Sequence, residues 1–154
     1  MKIHYIPFEE NYREELVDMV LSLYKEDPHG AHMSTDKVQR TIEFLNTHPG
    51  AGEIVLLSDT HQLAGYAILI NYWSNEYGGL VLFIDELYVK KEFQGKNIGT
   101  DFIQHLIADV HDEYQSIVLE VLPTNERAFR LYSKLGFKTA KNHFLRYDKI
   151  NLVR

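Results

Sequence analysis

The chain has 154 residues, which is enough for one domain with a substantial core and too few for two. Its apolar fraction of 45% and charged fraction of 25% are ordinary for a globular protein, and its formal net charge of -6 disfavours nucleic acid as a partner. The absence of cysteine excludes disulfides, thiolate metal sites and a cysteine nucleophile. We therefore expect a single domain over residues 1–154.

The N-terminal region has neither an apolar stretch of signal-peptide length nor a small-residue cleavage site. No later segment approaches the roughly 20 apolar residues that are needed to span a bilayer. The sequence therefore predicts a cytoplasmic protein with no membrane partner.

The first half of the chain alternates strand and helix patterns. Residues 2–6 are typical of a short strand, and a helical spacing of apolar residues follows from Leu16 to Tyr24. Ser34 is a candidate N-cap for a second helix, which ends before Pro49. Two apolar strands are then expected at about 53–58 and 63–73, joined as a hairpin through residues 59–62.

The second half contains the densest apolar run. Residues 80–89 are largely apolar on both alternating faces, which predicts a central strand covered on each side. A helix is expected from near Ile98, with an apolar stripe of Phe102, Leu106, Ile107 and Val110. Then follow a strand at 117–122, a helix at 125–135 ended by Gly136, and one or two closing strands at 137–149. The predicted order is β-α-α-β-β-β-α-β-α-β, an α/β domain with a mixed sheet.

The junction at residues 94–100 is a candidate phosphate site because it lies between the central strand and an amphipathic helix. Such a junction leaves backbone N–H groups unpaired, and the helix dipole adds positive potential there. Gly95 and Gly99 allow close approach, and Lys96 can add a charge. The alternative is that the glycines serve only the turn. The GxGxxG and Walker A patterns are both absent, which disfavours Rossmann redox chemistry and nucleotide hydrolysis.

Four ordered segments give this junction a more specific interpretation: Ile84-Asp85-Glu86-Leu87-Tyr88-Val89, Gln94-Gly95-Lys96-Asn97-Ile98-Gly99, Asn125-Glu126-Arg127-Ala128-Phe129-Arg130-Leu131-Tyr132 and Leu135-Gly136-Phe137. Together they resemble the GNAT superfamily of N-acetyltransferases over residues 80–138. The resemblance implies a mixed, mostly antiparallel sheet with helices on both faces. It also implies acetyl-CoA as cosubstrate, a small-molecule or peptide amine as acceptor, no metal, and a possible homodimer.

The resemblance also assigns a cofactor site. The family turn that binds the pyrophosphate of acetyl-CoA is matched by Gln94, Ile98 and Gly99, while Asn97 stands where the family usually has glycine. Asparagine tolerates a positive φ, so we expect Asn97 to keep the turn. Backbone groups of the central strand are expected to hold the pantetheine arm and to polarise the thioester. The residues assigned to the cofactor are Leu87, Tyr88, Val89, Gln94, Gly95, Lys96, Asn97, Ile98, Gly99, Thr100 and Asn125.

Asp85 and Glu86 are adjacent carboxylates in an apolar strand, where neighbouring side chains face opposite ways. A buried carboxylate needs a partner or a function. Only one lysine-like amine in ~10³ is neutral at pH 7, and a carboxylate base can remove the proton that blocks attack. Glu86 resembles the glutamate that many family members use as a base. Substrate contact without proton transfer and a purely structural role remain as alternatives.

Tyr132 lies two helical turns after Asn125. By resemblance, Tyr132 protonates the departing thiolate and Asn125 contacts the pantetheine arm. A phenol of pKa near 10 can donate to a thiolate whose conjugate acid lies near 8.5. A core tyrosine and a helix N-cap are the alternative interpretations of these two residues.

By resemblance, the acceptor pocket is expected to include the segments at 29–32 and 73–79, because family members vary most there. Trp73, Glu76 and Tyr77, with Tyr72, would form an aromatic and acidic wall suited to a cation, and Asp85 is a further candidate for substrate binding. A partner interface is an equal alternative for these aromatics. The closest pair of histidines, His29 and His32, has no obvious third ligand, and no HExxH motif exists, so no metal site is expected.

The sequence thus predicts direct transfer of an acetyl group from acetyl-CoA to a primary amine through a ternary complex. A non-catalytic acyl-CoA-binding or sensing module on the same fold is an alternative, because fold does not determine function. A third alternative is an interaction protein without a cofactor. The identity of the amine, the acyl-chain preference and the oligomeric state lie beyond the sequence.

Overall fold

The structure is a computed structural model that describes residues 1–27, 29–110 and 112–149. Within these residues it contains one five-stranded sheet and four α-helices. The strands are β1 (His4–Pro7), β2 (Gly52–Ser58), β3 (Leu63–Ser74), β4 (Gly79–Val89) and β5 (Tyr114–Leu119). The helices are α1 (Arg13–Lys25), α2 (Thr35–Thr47), α3 (Ile98–Asp109) and α4 (Glu126–Lys134). No helix in the described part of the chain is long and apolar enough to cross a bilayer.

The sheet has the order β1-β2-β3-β4-β5, in which β1 to β4 pair antiparallel and β5 is parallel to β4. Hairpins join β2 to β3 and β3 to β4, whereas the parallel β4–β5 pair requires the crossover that α3 supplies. The expected mixed, mostly antiparallel α/β fold is confirmed.

Helices cover both faces of the sheet. On one face α1 and α2 bury Leu16 and Ile42 against strand residues that include Tyr66. On the other face α3 buries Phe102 and Ile103 against side chains of β2, β3 and β4. The alternating strand pattern and the helical stripes therefore meet as two apolar layers, and β4 lies between them with its two sides in different cores.

Local predictions at the ends of helices are also confirmed. The Ser34 hydroxyl caps α2 by accepting a hydrogen bond from the N–H of Lys37 at 3.3 Å. Gly136 takes a left-handed conformation with φ of 100° after α4, and the N–H of Phe137 donates to the carbonyl of Tyr132 at 3.0 Å.

Three predictions need correction. The fifth strand is Tyr114–Leu119 rather than 117–122, because its ladder with β4 ends at the Ile84–Leu119 pair. Ile107 is 41% exposed and Val110 follows the helix, so the buried stripe of α3 is narrower than expected. No closing strand forms within 137–149, and the run 138–143 contains no large apolar side chain that a strand could bury.

Candidate active site

A groove of about 470 Å³ opens between the C-terminal end of β4, the start of α3 and the face of α4. Many of the residues that sequence analysis assigned to the cofactor or to catalysis line it. They are Leu87, Val89, Gln94, Gly95, Asn97, Ile98, Gly99, Thr100, Asn125 and Tyr132. Segments that are distant in sequence thus converge on one cavity.

The rim of this groove is the first turn of α3. Asn97 precedes the helix with φ of 63° and ψ of 12°, and Gly95 has φ of 75°. The N–H groups of the first helical residues have no intrahelical acceptor, and the Asn97 side chain does not cap them. The predicted turn-compatible backbone of Asn97 is confirmed, and the turn leaves free donors at the positive end of a helix dipole, which suits an anion.

The side chains of the turn behave differently from its backbone. The Gln94 amide donates to the carbonyl of Val89 at 2.9 Å, so it ties the turn to the end of β4. The Lys96 ammonium lies over the Phe93 ring, 5.2 Å from its centroid, and does not line the groove. Gly99 faces the side chains of Leu87 and Val89, and a Cβ there would lie 3.8 Å and 3.9 Å from them.

Beyond Ile84 the edge of β4 that faces β5 has no strand partner among the described residues. The carbonyl of Tyr88 points toward β3, where a Cβ on Gly65 would collide with it. Because backbone groups alternate in direction along a strand, those of Leu87 and Val89 point to the open edge. The strands β4 and β5 therefore separate beyond Ile84 and leave this part of β4 open. Tyr88 itself packs its side chain on the α1/α2 face and does not line the groove.

A β-bulge at Asp85 determines where Glu86 points. Ile84 pairs with Leu69 and Glu86 pairs with Ile68, so Asp85 is an extra residue opposite two consecutive partners. Ile84 and Leu69 belong to the core under α3, whereas Ile68 belongs to the core under α1 and α2. Without the bulge, Glu86 would share the face of Ile84; with it, the carboxylate faces α1.

Two tyrosines bind the Glu86 carboxylate on that face. The Tyr66 hydroxyl donates to Oε1 at 2.8 Å, and the Tyr24 hydroxyl donates to Oε2 at 2.5 Å. Burial raises the pKa of Glu86 above the ordinary value, the two phenol hydrogen bonds lower it, and the Asp85 charge raises it further; the net direction is upward. Sequence reasoning missed both tyrosines because they lie 62 and 20 residues away in the chain.

Asp85 lies at the surface of the bulge and not against a covered face. Although its side chain is exposed, nearby protein atoms desolvate the carboxylate, and this desolvation together with the Glu120 charge raises the pKa of Asp85. The two adjacent carboxylates therefore have different surroundings: Glu86 is held inside the protein, and Asp85 faces solvent beside Glu120.

Tyr132 and Asn125 both lie on the α4 side of the groove. Tyr132 packs partly against the core under α3, its hydroxyl makes no hydrogen bond to any described residue, and burial raises its pKa. Asn125 caps α4, because its Oδ1 accepts from the N–H of Ala128 at 3.1 Å. The amide nitrogen of Asn125 is not used by this cap.

The aromatic segment at 73–79 is not near these groups. Trp73 pairs with Leu80 near the β3–β4 turn, and Tyr77 lies in that turn. Leu80 is six residues before Glu86 on β4, a separation of roughly 20 Å at ordinary strand rise. Trp73 and Tyr77 are 66% and 54% exposed. Within one chain, the structure does not bring Trp73, Glu76 and Tyr77 together with Glu86.

Several lining residues were absent from the sequence-based assignment: Phe93, Ile103, Arg127, Ala128 and Leu131. Arg127 and Ala128 stand in the Asn125–Tyr132 segment that carries the resemblance, so their positions could have been assigned from it. Phe93 and Ile103 carry no such signal. Within the described ranges, no group of three or more His, Cys, Asp or Glu side chains is arranged to hold a metal ion.

The chain is similar in sequence to known proteins. The sequence profile of the Acetyltransferase (GNAT) family matches residues 17–137. A curated relative, the probable spermine N(1)-acetyltransferase of Bacillus subtilis subsp. natto, is 30% identical over 77 residues. That match covers 49% of this chain and 50% of the relative, so the chain spans about half the length of the curated relative.

Two solved structures share the fold. A possible acetyltransferase from Clostridium difficile has a TM-score of 0.84 at 19% identity, covering 98% of this chain and 100% of that one. The glucosamine-6-phosphate N-acetyltransferase of Arabidopsis thaliana has a TM-score of 0.70 at 14% identity, covering 96% of this chain and 99% of that one. At such identities the likeness concerns the fold alone.

Proposed function

The chain belongs to the acetyltransferase (GNAT) family, and from this premise we propose that it transfers an acetyl group from acetyl-CoA directly to a primary amine of a small molecule. The observation that carries the proposal is the uncapped first turn of α3, which opens into a groove that ends at the unpaired edge of β4. Both features are required if one ligand carries phosphates at one end and a reactive group at the other.

The residues present fit acetyl-CoA. The free N–H groups at 98–100 suit its pyrophosphate, and Arg127 adds a cation to the groove. The backbone of Leu87 and the N–H of Val89 can hydrogen-bond an extended arm as an added strand does, while the Val89 carbonyl accepts from Gln94. Acetyl-CoA would supply the acetyl group as a thioester. The small side chain of Gly99 leaves room for the arm to pass over the helix N-terminus.

Glu86 is our candidate for the general base. A carboxylate with a raised pKa is a better proton acceptor than an ordinary glutamate, and it can take a proton from the ammonium form of the acceptor. Each carboxylate oxygen accepts one phenol hydrogen bond and has a further lone pair available. The freed amine then attacks the thioester carbonyl, whose oxygen can accept from backbone N–H groups on the open edge.

Tyr132 is our candidate for the general acid. As the new C–N bond forms and the C–S bond breaks, the sulfur leaves as a thiolate, and the Tyr132 hydroxyl can donate a proton to it. The nitrogen of the new amide loses its remaining extra proton to solvent, and solvent returns a proton to the Tyr132 phenolate. The lack of any hydrogen bond from this hydroxyl to described residues leaves its proton available. Burial raises the pKa of Tyr132, which keeps the phenol protonated.

The two groups lie on opposite faces of β4. Glu86 faces α1, and Tyr132 lies with α3 and α4. A thioester held at the open edge would therefore receive the amine from one side while the thiolate leaves toward the other. Neither group has to change its role during the reaction, which fits direct transfer through a ternary complex.

The acceptor we favour is a polycationic amine. The chain carries a net charge of -6, and Asp85 and Glu120 present exposed carboxylates beside Glu86 at the separated strands. Long-range attraction of a cation would raise its local concentration. The name of the curated relative, a probable spermine N(1)-acetyltransferase, supports the same class.

The proposal is tested by incubating the purified protein with acetyl-CoA and a panel of amines: spermine, spermidine, an aminoglycoside, an amino acid and an N-terminal peptide. Release of free thiol and mass spectrometry of the acceptor are the readouts. We expect release with spermine or spermidine and an acetylated product of matching amount. Glu86→Gln serves as the inactive comparison. Thiol release without an acetylated amine would contradict transfer.

A non-catalytic acyl-CoA-binding module is the second candidate, and one observation favours it. Both Glu86 oxygens are bound by tyrosines, which also fits a structural role for this carboxylate. This alternative predicts a calorimetric signal on adding acetyl-CoA, no thiol release with any amine, and full acyl-CoA binding by Glu86→Gln and Tyr132→Phe. An interaction protein without cofactor predicts no heat at all.

A further inference from the structure

The Glu86 carboxylate is bound from two sides by elements that are far apart in sequence. Tyr66 reaches it from β3 and Tyr24 reaches it from α1, each donating to a different oxygen, at 2.8 Å and 2.5 Å. Two donors on different oxygens restrain both the position and the rotation of a carboxylate. We call these three side chains the tyrosine–carboxylate cluster.

The two tyrosines differ in exposure. Tyr66 is fully buried, and Glu86 is the hydrogen-bond partner of its hydroxyl, so loss of the carboxylate would leave a buried polar group unpaired. Tyr24 is half-buried on α1. Tyr66 is thus an anchor inside the core, and Tyr24 closes the cluster on its outer side.

The phenols of Tyr24 and Tyr66 take the place that a lysine or arginine often occupies beside a buried carboxylate. No lysine or arginine in the described ranges forms an ion pair with Glu86. The titratable groups around the Glu86 carboxylate are Tyr24 from α1, Tyr66 from β3 and Tyr88 from β4, where the Tyr88 ring centroid lies 5.9 Å from that of Tyr66. Asp85 faces solvent and acts on Glu86 only through its charge. Hydrogen bonds from neutral phenols stabilise the negative charge without neutralising it, which leaves the carboxylate free to accept a proton.

We propose that Tyr24 and Tyr66 are positioning residues that hold the Glu86 carboxylate in one orientation and stabilise its ionised form. This inference rests on the proposed function, because an ionised, oriented carboxylate is what proton removal from an ammonium acceptor requires. The tyrosines act through Glu86 and need not touch the substrate.

The sign of the effect follows from the contacts. Burial and the Asp85 charge raise the pKa of Glu86, and the two phenol hydrogen bonds oppose this rise. Removing one hydroxyl therefore raises the pKa of Glu86 further, and the base form is lost at a higher pH than in the wild type. Removing both hydroxyls should give the larger shift.

The test uses Tyr24→Phe, Tyr66→Phe and the double variant, with Tyr114→Phe as the matched control. Tyr114→Phe also removes a phenol hydrogen bond, to Oδ1 of Asn71 at 3.0 Å, but this bond joins β5 to β3 across β4 and is not part of the cluster. Thermal melting checks the fold of each variant. If Tyr66→Phe does not fold, the test uses Tyr24→Phe alone, because Tyr24 is only half-buried.

The first readout is independent of activity. The protein is labelled with glutamate carrying ¹³C at the carboxyl carbon, the Glu86 signal is identified by its loss in Glu86→Gln, and its titration is followed by NMR. We expect an upward shift of the Glu86 pKa in each cluster variant and none in Tyr114→Phe. An unchanged Glu86 titration in folded Tyr24→Phe overturns the proposal, whether or not the protein is an enzyme.

The second readout is the pH dependence of kcat/KM with the best acceptor. We expect the acid limb to move to higher pH in the cluster variants, so that kcat/KM falls more at acid than at alkaline pH. If kcat/KM falls by the same factor at every pH, the tyrosines have a merely structural role, and the positioning role is overturned. If the wild type transfers acetyl to no amine, the proposed function fails, and the NMR titration still decides whether the tyrosines hold the carboxylate ionised.

Discussion

The groove at α3 and the tyrosine–carboxylate cluster lie on opposite faces of β4, and they are built in different ways. The rim of the groove comes from one short segment, 94–100, and its donors are backbone N–H groups that the left-handed residues Gly95 and Asn97 leave exposed. The cluster consists of three side chains from α1, β3 and β4. The rim of the groove therefore depends on the backbone conformation of 94–100, whereas the cluster depends on the functional group of each of its three side chains.

This difference separates the expected effects of substitution. Changes in the cluster and at Tyr132 should alter the rate of transfer and leave acetyl-CoA binding nearly intact. Changes in the turn should alter acetyl-CoA binding and leave the chemical step of the bound complex nearly intact. A variant that altered acetyl-CoA binding and the chemical step to the same extent would contradict this separation of the two regions.

Glu86→Gln should have the largest effect. The amide keeps the shape of the side chain but cannot accept a proton from the amine, so kcat should fall by about 10²–10⁴-fold. Steady-state kinetics measures this loss, and calorimetry should give an unchanged affinity for acetyl-CoA. Glu53→Gln, an exposed glutamate on β2, is the control. A wild-type rate for Glu86→Gln would rule out Glu86 as the base.

Tyr132→Phe should have the next largest effect. Removing the hydroxyl removes the proton donor, but a thiolate is an adequate leaving group, so we expect kcat to fall by roughly 10–10²-fold, at or below the low end for general acid catalysis. The ring and its packing near Phe137 are retained. The measurement is kcat with saturating substrates. An unchanged kcat, with the fold intact, would leave Tyr132 as a core residue only.

Gly99→Val tests the groove. A Cβ at this position makes ordinary contacts with Leu87 and Val89, at 3.8 Å and 3.9 Å, so the branch methyls must occupy the groove. We expect the Kd for acetyl-CoA to rise about tenfold or more, which corresponds to about 1.4 kcal/mol. Gly50→Val is the control, because a Cβ on Gly50 meets no atom of the described residues within 4 Å. If a folded Gly99→Val variant bound acetyl-CoA as tightly as the wild type, acetyl-CoA would have to bind outside this groove.

Asn97 should show the smallest effects, in opposite directions. Asn97→Ala keeps the Cβ but removes the polar side chain that helps asparagine to adopt a left-handed backbone. We expect a strain of about 1 kcal/mol and weaker acetyl-CoA binding. Asn97→Gly keeps that conformation at no steric cost and should bind as well as the wild type or slightly better. Titration calorimetry of the pair measures the difference. Equal affinities for the alanine and glycine variants would show that this φ is irrelevant to the site.

Much of the fold could be predicted from the sequence because the signals are local. Helical spacing predicted α1, Ser34 predicted the start of α2, and Gly136 predicted a left-handed end of α4. The turn at 94–100 was predictable for the same reason, since glycine and asparagine tolerate the φ values that it requires. The prediction of closing strands at 137–149 was wrong because a strand needs a neighbour and a face to bury, and the polar run at 138–143 offers no such face.

Local patterns along the chain predicted the α/β order, the turn that faces the groove and the pair of carboxylates on β4. The folded structure was needed to show which carboxylate faces inward, because the bulge at Asp85 reverses the simple alternation. It also brought Tyr24 and Tyr66 to Glu86 and placed the aromatic segment at 73–79 far from it. The physical reason is that backbone conformation follows from neighbouring residues, whereas contacts between side chains depend on strand register and helix packing across the whole chain.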